Sequence, residues 1–416
     1  AGYPIGYGSA YSSPYDGPSF TNSSVYSTPL VYQGKPAAYF TNTIANASLQ
    51  PFQRTNLEAG IEAKMFKNRF GLEATYFVYN DGPGIYQRTV SEATGYTNQL
   101  VNGIETQRKG WEVSLNGDIV KPKVKNGFSW EAMVNLSRYR EFLTGVYDGV
   151  DQIAANYFVS DNSSNRFIKV GDRIDAIYCG SFARNAEGEL INDAGGRPIV
   201  LPKGQQQGYA LPDLVWGAFN KMSYKNFTFS FQFDGRIGGS VVNQIQRQTF
   251  RGGRNIETVQ DNIKDANGQG MGAARYNDYQ GVKSWVGEGV QIVSGTPKFD
   301  PITGEITNMS ELTFKKNESA TYLQDYISRY YGQYEANLMS KSYAKLREVS
   351  ITYQLPAKMM GKTFKSASVS LVGRNLLYFA KGKDDVDLDQ FPGMIGYTAL
   401  QTPTLRRYGV NINLTF

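Results

Sequence analysis

Along residues 407–416 apolar and polar side chains alternate without a break. Tyr408, Val410, Ile412, Leu414 and Phe416 fall on one face of a strand, and Arg407, Gly409, Asn411, Asn413 and Thr415 on the other. A strand of this kind at the end of a chain, closing on an aromatic residue, is the ending of an outer-membrane β-barrel, with apolar residues toward lipid and polar ones toward a wet interior.

The same alternation recurs upstream. Leu57, Ala59, Ile61, Ala63 and Met65 are followed, after a tight turn at 67–69, by Phe70, Leu72, Ala74, Tyr76 and Val78. Trp111, Val113, Leu115, Gly117 and Ile119 precede Phe128, Trp130, Ala132, Val134 and Leu136. The stretch 214–224 turns at Lys225 and Asn226 into Phe227, Phe229, Phe231 and Phe233, and Val349, Ile351, Tyr353 and Leu355 lead through Pro356 to Ala367, Val369 and Leu371. The pattern predicts nine strands of roughly 10 to 14 residues, long enough to cross a bilayer at a tilt and longer than ordinary globular strands. These apolar faces carry no Lys or Arg. A cation near the midplane of such a face costs about 2 to 4 kcal/mol.

Short connections (67–69, 120–127, 225–226, 356–365) alternate with long ones (81–103, 139–212, 238–341, 381–404). This predicts short turns on the periplasmic side and long loops outside. Counting back from Phe416 makes 1–56, rich in Ser, Tyr, Pro and Gly, an extracellular loop entering the barrel, and 57–416 the barrel portion itself. Nine strands with both edges bare do not suit lipid, where unpaired backbone groups have no partner. The expectation is a transmembrane antiparallel β-barrel, all-β, whose remaining N-terminal half is not in this chain.

Composition sharpens the reading. The mean hydropathy of −0.42 and the absence of a long apolar run leave no helix to span a membrane, while 29 Tyr, 23 Phe and 4 Trp suit interfacial girdles. The net charge of +6 is spread along the chain, so nucleic-acid binding is not indicated. The absence of histidine removes Ser-His-Asp hydrolysis and every His-containing zinc site. Cys179, the only cysteine, reads as a buried or loop thiol and forms no internal disulfide.

Three segments, 342–356 (SYAKLREVSITYQLP), 367–377 (ASVSLVGRNLL) and 406–416, resemble the C-terminal signature of SusC/RagA-type TonB-dependent outer-membrane transporters. Segments 56–79, 109–117 (KGWEVSLNG) and 211–233 are similar to earlier barrel segments of that family, in the same order. The resemblance implies about nine C-terminal strands of an expected 22. It also implies an N-terminal plug and a TonB-contacting segment that lie outside this chain, and a SusD-like surface lipoprotein acting as a lid. Asp384, Asp385, Val386 and Asp387 depart from the family's Asp-Pro-Glu, and Tyr79, Asn80, Asp81 and Gly82 from its aromatic-Lys-Thr-Asp pattern.

Candidate chemistry is sparse. Asp384, Asp385, Asp387 and Asp389 could offer oxygen ligands to a hard cation, but their spacing matches no cation loop and a solvated loop is preferred; 261–270 also lacks the spaced Asp arrangement. No metal or cofactor is assigned. In the longest loop Leu323, Tyr326, Ile327, Tyr330, Tyr331 and Tyr334 fall at helical spacing, which favours a short helix packing its apolar face over rings free to grip sugar or peptide. Trp285, isolated among glycines, is the better single candidate for ligand or partner contact. The leading functional expectation is energy-coupled nutrient import of glycan oligosaccharides or peptides. A passive porin, or a structural or adhesive outer-membrane barrel, is the alternative, and an enzyme comes third.

Overall fold

The structure, a computed structural model, describes residues 26–46, 48–159, 165–360, 364–381, 386–398, 402 and 404–416. Nine strands form a single antiparallel sheet: β1 (Gln53–Met65), β2 (Phe70–Gly82), β3 (Glu105–Val120), β4 (Ser129–Gly145), β5 (Leu214–Tyr224), β6 (Phe227–Ile237), β7 (Tyr343–Gln354), β8 (Ser366–Ala380) and β9 (Arg407–Thr415). Each strand pairs with its neighbours in chain order. The first begins four residues before the alternation at Leu57 because Gln53 to Asn56 still pair with β2. A hairpin of Tyr26–Tyr32 and Lys35–Phe40 precedes it, within the stretch read as loop. At the first tight turn Phe66, Lys67 and Asn68 adopt positive φ, reversing the chain in a few residues.

Register turns the alternation of single strands into two faces. Ala63, Leu72, Leu115, Val134, Ala218, Phe233, Leu346 and Leu377 are successive cross-strand partners, a row of apolar side chains eight strands wide. The neighbouring row, one residue along, is Glu62, Glu73, Ser114, Asn135, Gly217, Asp234, Lys345 and Tyr378. A one-residue slip would exchange the two, so the faces fix the register. Leu57, Ile61, Leu371, Val410 and Ile412 are each more than half exposed on the apolar side. That side can face hydrocarbon, and the polar face lines the interior of a barrel.

A wall one sheet thick has no core of its own, and most of the buried apolar residues sit in the long connections. Ile104, Leu143, Ile153, Ala155, Ile168, Ile174 and Ala176 form one cluster. Phe250, Met271, Trp285, Leu323 and Ile327 belong to another, within 238–341. The second gathers helices α1 (Gln244–Arg251), α2 (Met271–Tyr279) and α3 (Leu323–Tyr330). Asn243 caps α1 by accepting from the Gln246 N–H at 2.9 Å, and Asp278 of α2 accepts from the first two N–H groups of α3, both at 2.8 Å. No helix among the described residues is long and apolar enough to cross a membrane, which says nothing of crossing by strands.

Candidate functional site

On the polar face, at the end of the sheet that carries the long connections, segment 386–398 folds back over β6, β7 and β8. Its anchor is a cluster of charges. Arg347 donates through Nε to Asp234 Oδ1 at 2.7 Å and through Nη1 to Asp389 Oδ2 at 2.6 Å. Lys345, almost fully buried, donates to Asp387 at 3.0 Å and to Asp389 at 3.4 Å. Arg236 donates to the carbonyls of Leu388 and Phe391 at 3.2 and 3.3 Å, and Tyr378 donates its hydroxyl hydrogen to the Val386 carbonyl at 3.0 Å. Burial pushes the Asp389 carboxyl up, but hydrogen bonds and charge from Arg347 and Lys345 outweigh it and leave the group down at about 2. Asp387 is lowered in the same way, against its burial, by Thr404 and Lys345.

The strand geometry makes this possible. Lys345 and Arg347 share odd numbering with Val349 and Ile351, so an unbroken strand would aim both cations at lipid. A bulge intervenes: Gln232 pairs with Glu348 and Phe233 with Leu346, leaving Arg347 as the extra residue and turning Lys345 toward Asp234. A second shift on β8, where Asn375 takes a positive φ, keeps Leu377 on the apolar side. The conflict of parity within residues 343–351 is the sequence signal for these residues, and the alternation count alone missed it.

Lys341 ties the long connections together just before β7. Its Nζ is buried and donates to the carbonyls of Ala210, Gly393 and Ile395 at 2.9, 3.0 and 3.1 Å, so connections 139–212, 238–341 and 381–404 meet at one ammonium. Burial and the charge of Arg236, opposed by Asp175, bring its pKa down to about 8. Val242 and Gly396, and Thr398 and Val242, add backbone hydrogen bonds at 2.9 and 2.8 Å across the same joint.

Of the acidic candidates, Asp384 and Asp385 lie outside the described residues. Asp387 and Asp389 are engaged by cations rather than left solvated, and among the described residues no cluster of Cys, Asp or Glu forms a metal-holding group. Trp285 is not isolated: it is buried at 3% exposure, 5.9 Å from the Tyr326 ring, because segments 250, 271 and 323–327 converge on it. Tyr326 is buried with it, and burial, with neighbouring Tyr330 and Tyr331, raises its hydroxyl pKa. Tyr330, stacked on Phe182 at 5.1 Å, Tyr331, stacked on Phe250 at 4.2 Å, and Tyr334, beneath the Arg247 guanidinium at 4.4 Å, keep partial exposure. Cys179 is buried, and burial, then Glu335, pushes its thiol up to about 12, far from thiolate chemistry. Tyr408, Val410, Ile412 and Leu414 are exposed on β9, on the face shared with Val369 and Leu371, and Phe416, one residue past the strand, is exposed as well.

These features define a section of membrane-spanning β-barrel wall whose long loops are bound to its interior face. No family model matches the chain. In sequence it is similar to the TonB-dependent receptors P26 and P3 of Formosa agariphila, at 24% identity over 81% of this chain and 31% of the relative, and at 22% over 89% and 33%. The chain thus spans about a third of the length of these curated relatives. In fold it is similar to the RagAB peptide importer in its open-open state, with a TM-score of 0.64 at 16% identity, covering 95% of this chain and 38% of that one. The closed-closed state of the same importer gives 0.61, over 96% and 39%. Sequence relatives and fold together support recognition of the chain as part of a SusC/RagA-type TonB-dependent transporter, located in the bacterial outer membrane. Proteins so named are receptors and importers rather than enzymes.

Proposed function

We propose that this chain supplies barrel wall and external loops to an energy-coupled importer of oligosaccharides or peptides. A SusD-like surface lipoprotein closes over the mouth, and a plug and TonB-contacting segment in the N-terminal part do the gating. The observation that carries the reading is the joint at Lys341 and Arg347: three long connections are clamped to one another and to the interior face, building a shaped mouth rather than independent loops. Tyr330, Tyr331 and Tyr334 offer partly exposed rings on a rigid support for sugar faces or peptide side chains, and Trp285 and Tyr326 hold that support from beneath. β9 and the residue that follows it present Tyr408, Val410, Ile412, Leu414 and Phe416 to lipid during insertion. The free edges of β1 and β9, which pair with no strand among the described residues, meet the rest of the barrel. The chain itself carries out no covalent chemistry.

Purifying the tagged full-length transporter from outer membranes and identifying its co-purifying proteins and ligands by mass spectrometry tests this. A surface lipoprotein and a bound oligosaccharide or peptide are expected, with uptake abolished by loss of TonB. Uptake indifferent to TonB, with no lipoprotein retained, would establish a passive pore instead.

A further inference from the structure

Within the nine strands the apolar face carries three cations, and all three stand together. They are Lys109 on β3 and Arg138 and Arg140 on β4, at the end of the sheet that bears the long connections. Arg138 is the cross-strand partner of Trp111, and Arg140 that of Lys109, so the three occupy two consecutive rungs of one ladder. Directly opposite side chains in such a ladder lie about 5 Å apart, close enough for like charges to repel. Arg140 is answered by Asp213 and by the Pro212 carbonyl at 2.8 Å. Lys109 and Arg138 are exposed and form no ion pair with any described residue; Lys109 lies over the Phe142 ring at 4.5 Å.

Height explains why cations are tolerated there. Trp130 and Arg138, on the same face of β4, are separated by eight residues. At about 3.4 Å per residue and a tilt near 40–45° this is about 20 Å, close to the height of the apolar band of such a barrel. Trp130 marks one interface, and Tyr76, Trp111 and Trp216 mark the other. Lys109 and Arg138 therefore stand in and just above the upper aromatic girdle, at the depth of lipid headgroups. Two unanswered cations over a row of rings fit a phosphate attached to an acyl-bearing body.

We propose that Lys109 and Arg138, with Tyr76 and Trp111 on the rung of Arg138, bind the phosphate headgroup of an anionic lipid in the outer leaflet. The leaflet rests on the reading that the long connections face outside, and the test separates the two. Full-length transporter, wild type and K109Q/R138Q, is purified in mild detergent, stripped of lipid and titrated with micelles of a phosphorylated glycolipid, the same glycolipid without its phosphate, and inorganic phosphate. Binding is followed by native mass spectrometry and thermal shift. Only the phosphorylated glycolipid should stabilise the wild type, and the double variant should bind it about thirtyfold more weakly, given the worth of each cation near an anionic surface. Arg374→Gln, on the polar face, should bind as wild type does. Equal binding by wild type and the double variant, or equal binding of the phosphate-free glycolipid, overturns the proposal, and a response to inorganic phosphate alone makes it an anion site and not a lipid site. Independently, Tyr279→Cys, at an exposed position in 238–341, is treated with a membrane-impermeant maleimide on intact cells. Labelling supports the outer leaflet, and labelling only after lysis refutes that assignment whatever the lipid titration shows.

Discussion

Arg347 of β7 donates to Asp389, beyond the next strand, at 2.6 Å, and the same guanidinium holds Asp234 of β6. One side chain thus joins the barrel wall to the segment folded over it. Arg347→Ala leaves two carboxylates facing each other with only Lys345 between them. Charged hydrogen bonds of this kind contribute about 1.5–3 kcal/mol each before solvent screening, and the group is about one-third exposed, so the low end applies. The expected outcome is rapid proteolysis within 381–404 with an intact barrel, read by limited digestion and heat-modifiable gel migration. Acid should have the same effect. The Asp389 carboxyl lies at about 2 in the fold against an ordinary 3.8, so its contribution is complete above about pH 4 and is lost as pH falls toward 2. Pepsin sensitivity of the segment should rise across that window in the wild type, and less steeply in Asp389→Asn, where Asp387 alone is left to titrate.

Lys341 responds to the other end of the pH scale. Its pKa is lowered from 10.5 to about 8, so between those values the unfolded chain binds the extra proton and the joint gains stability as pH rises. Lys341→Met removes that dependence. It also strands the buried carbonyls of Ala210, Gly393 and Ile395, at about 1–3 kcal/mol for a buried unmet acceptor. Hydrogen exchange at Val242 and Thr398, whose N–H groups donate across the joint, should be faster in the variant at every pH. It should slow from pH 8 to 10 in the wild type alone, once intrinsic exchange rates are divided out.

The nine strands were legible because a period of two is a signal each strand carries alone, and the register then has to bring the apolar faces together. Lys345 and Arg347 broke that period and were not recognised, since only the partner strand shows that a bulge absorbs the extra residue. Trp285 reads as isolated in the sequence for a related reason. Its packing partners lie far off in sequence at Phe250, Met271 and Leu323, brought together by loop folding that no local pattern encodes. The helix at 323–330 was readable from its spacing, because its apolar stripe is local.

Phe250 is fully buried between α1 and α3, stacked on Tyr331. Phe250→Ala should destabilise the helical part of 238–341 by about 3–5 kcal/mol, the range for removing a buried aromatic ring. Because this cluster is separate from the sheet, the loss should be confined to it. Hydrogen exchange should accelerate across 244–331 while outer-membrane levels and heat-modifiable migration stay unchanged. A variant that fails to assemble at all would show that the loop core and the wall fold as one unit.

Ile412 and Asn411 are adjacent on β9 and point to opposite faces, Ile412 paired with Val369 and Asn411 with Ser370. A lysine at 412 places an ammonium on the lipid side, at about 2–4 kcal/mol if it lies near the midplane and less toward either interface. A lysine at 411 enters the wet interior beside Ser370 and meets no such penalty. Ile412→Lys should therefore lower the outer-membrane level of the full-length transporter severalfold, measured by quantitative blotting of purified outer membranes, while Asn411→Lys stays near wild type. Equal levels of the two variants would mean that the faces are reversed, and with them the placement of Tyr408, Val410, Leu414 and Phe416 against lipid. A deficit in Asn411→Lys alone would put the charge cluster around Arg347 on the lipid side, where ion pairs that exposed to hydrocarbon would be costly to keep.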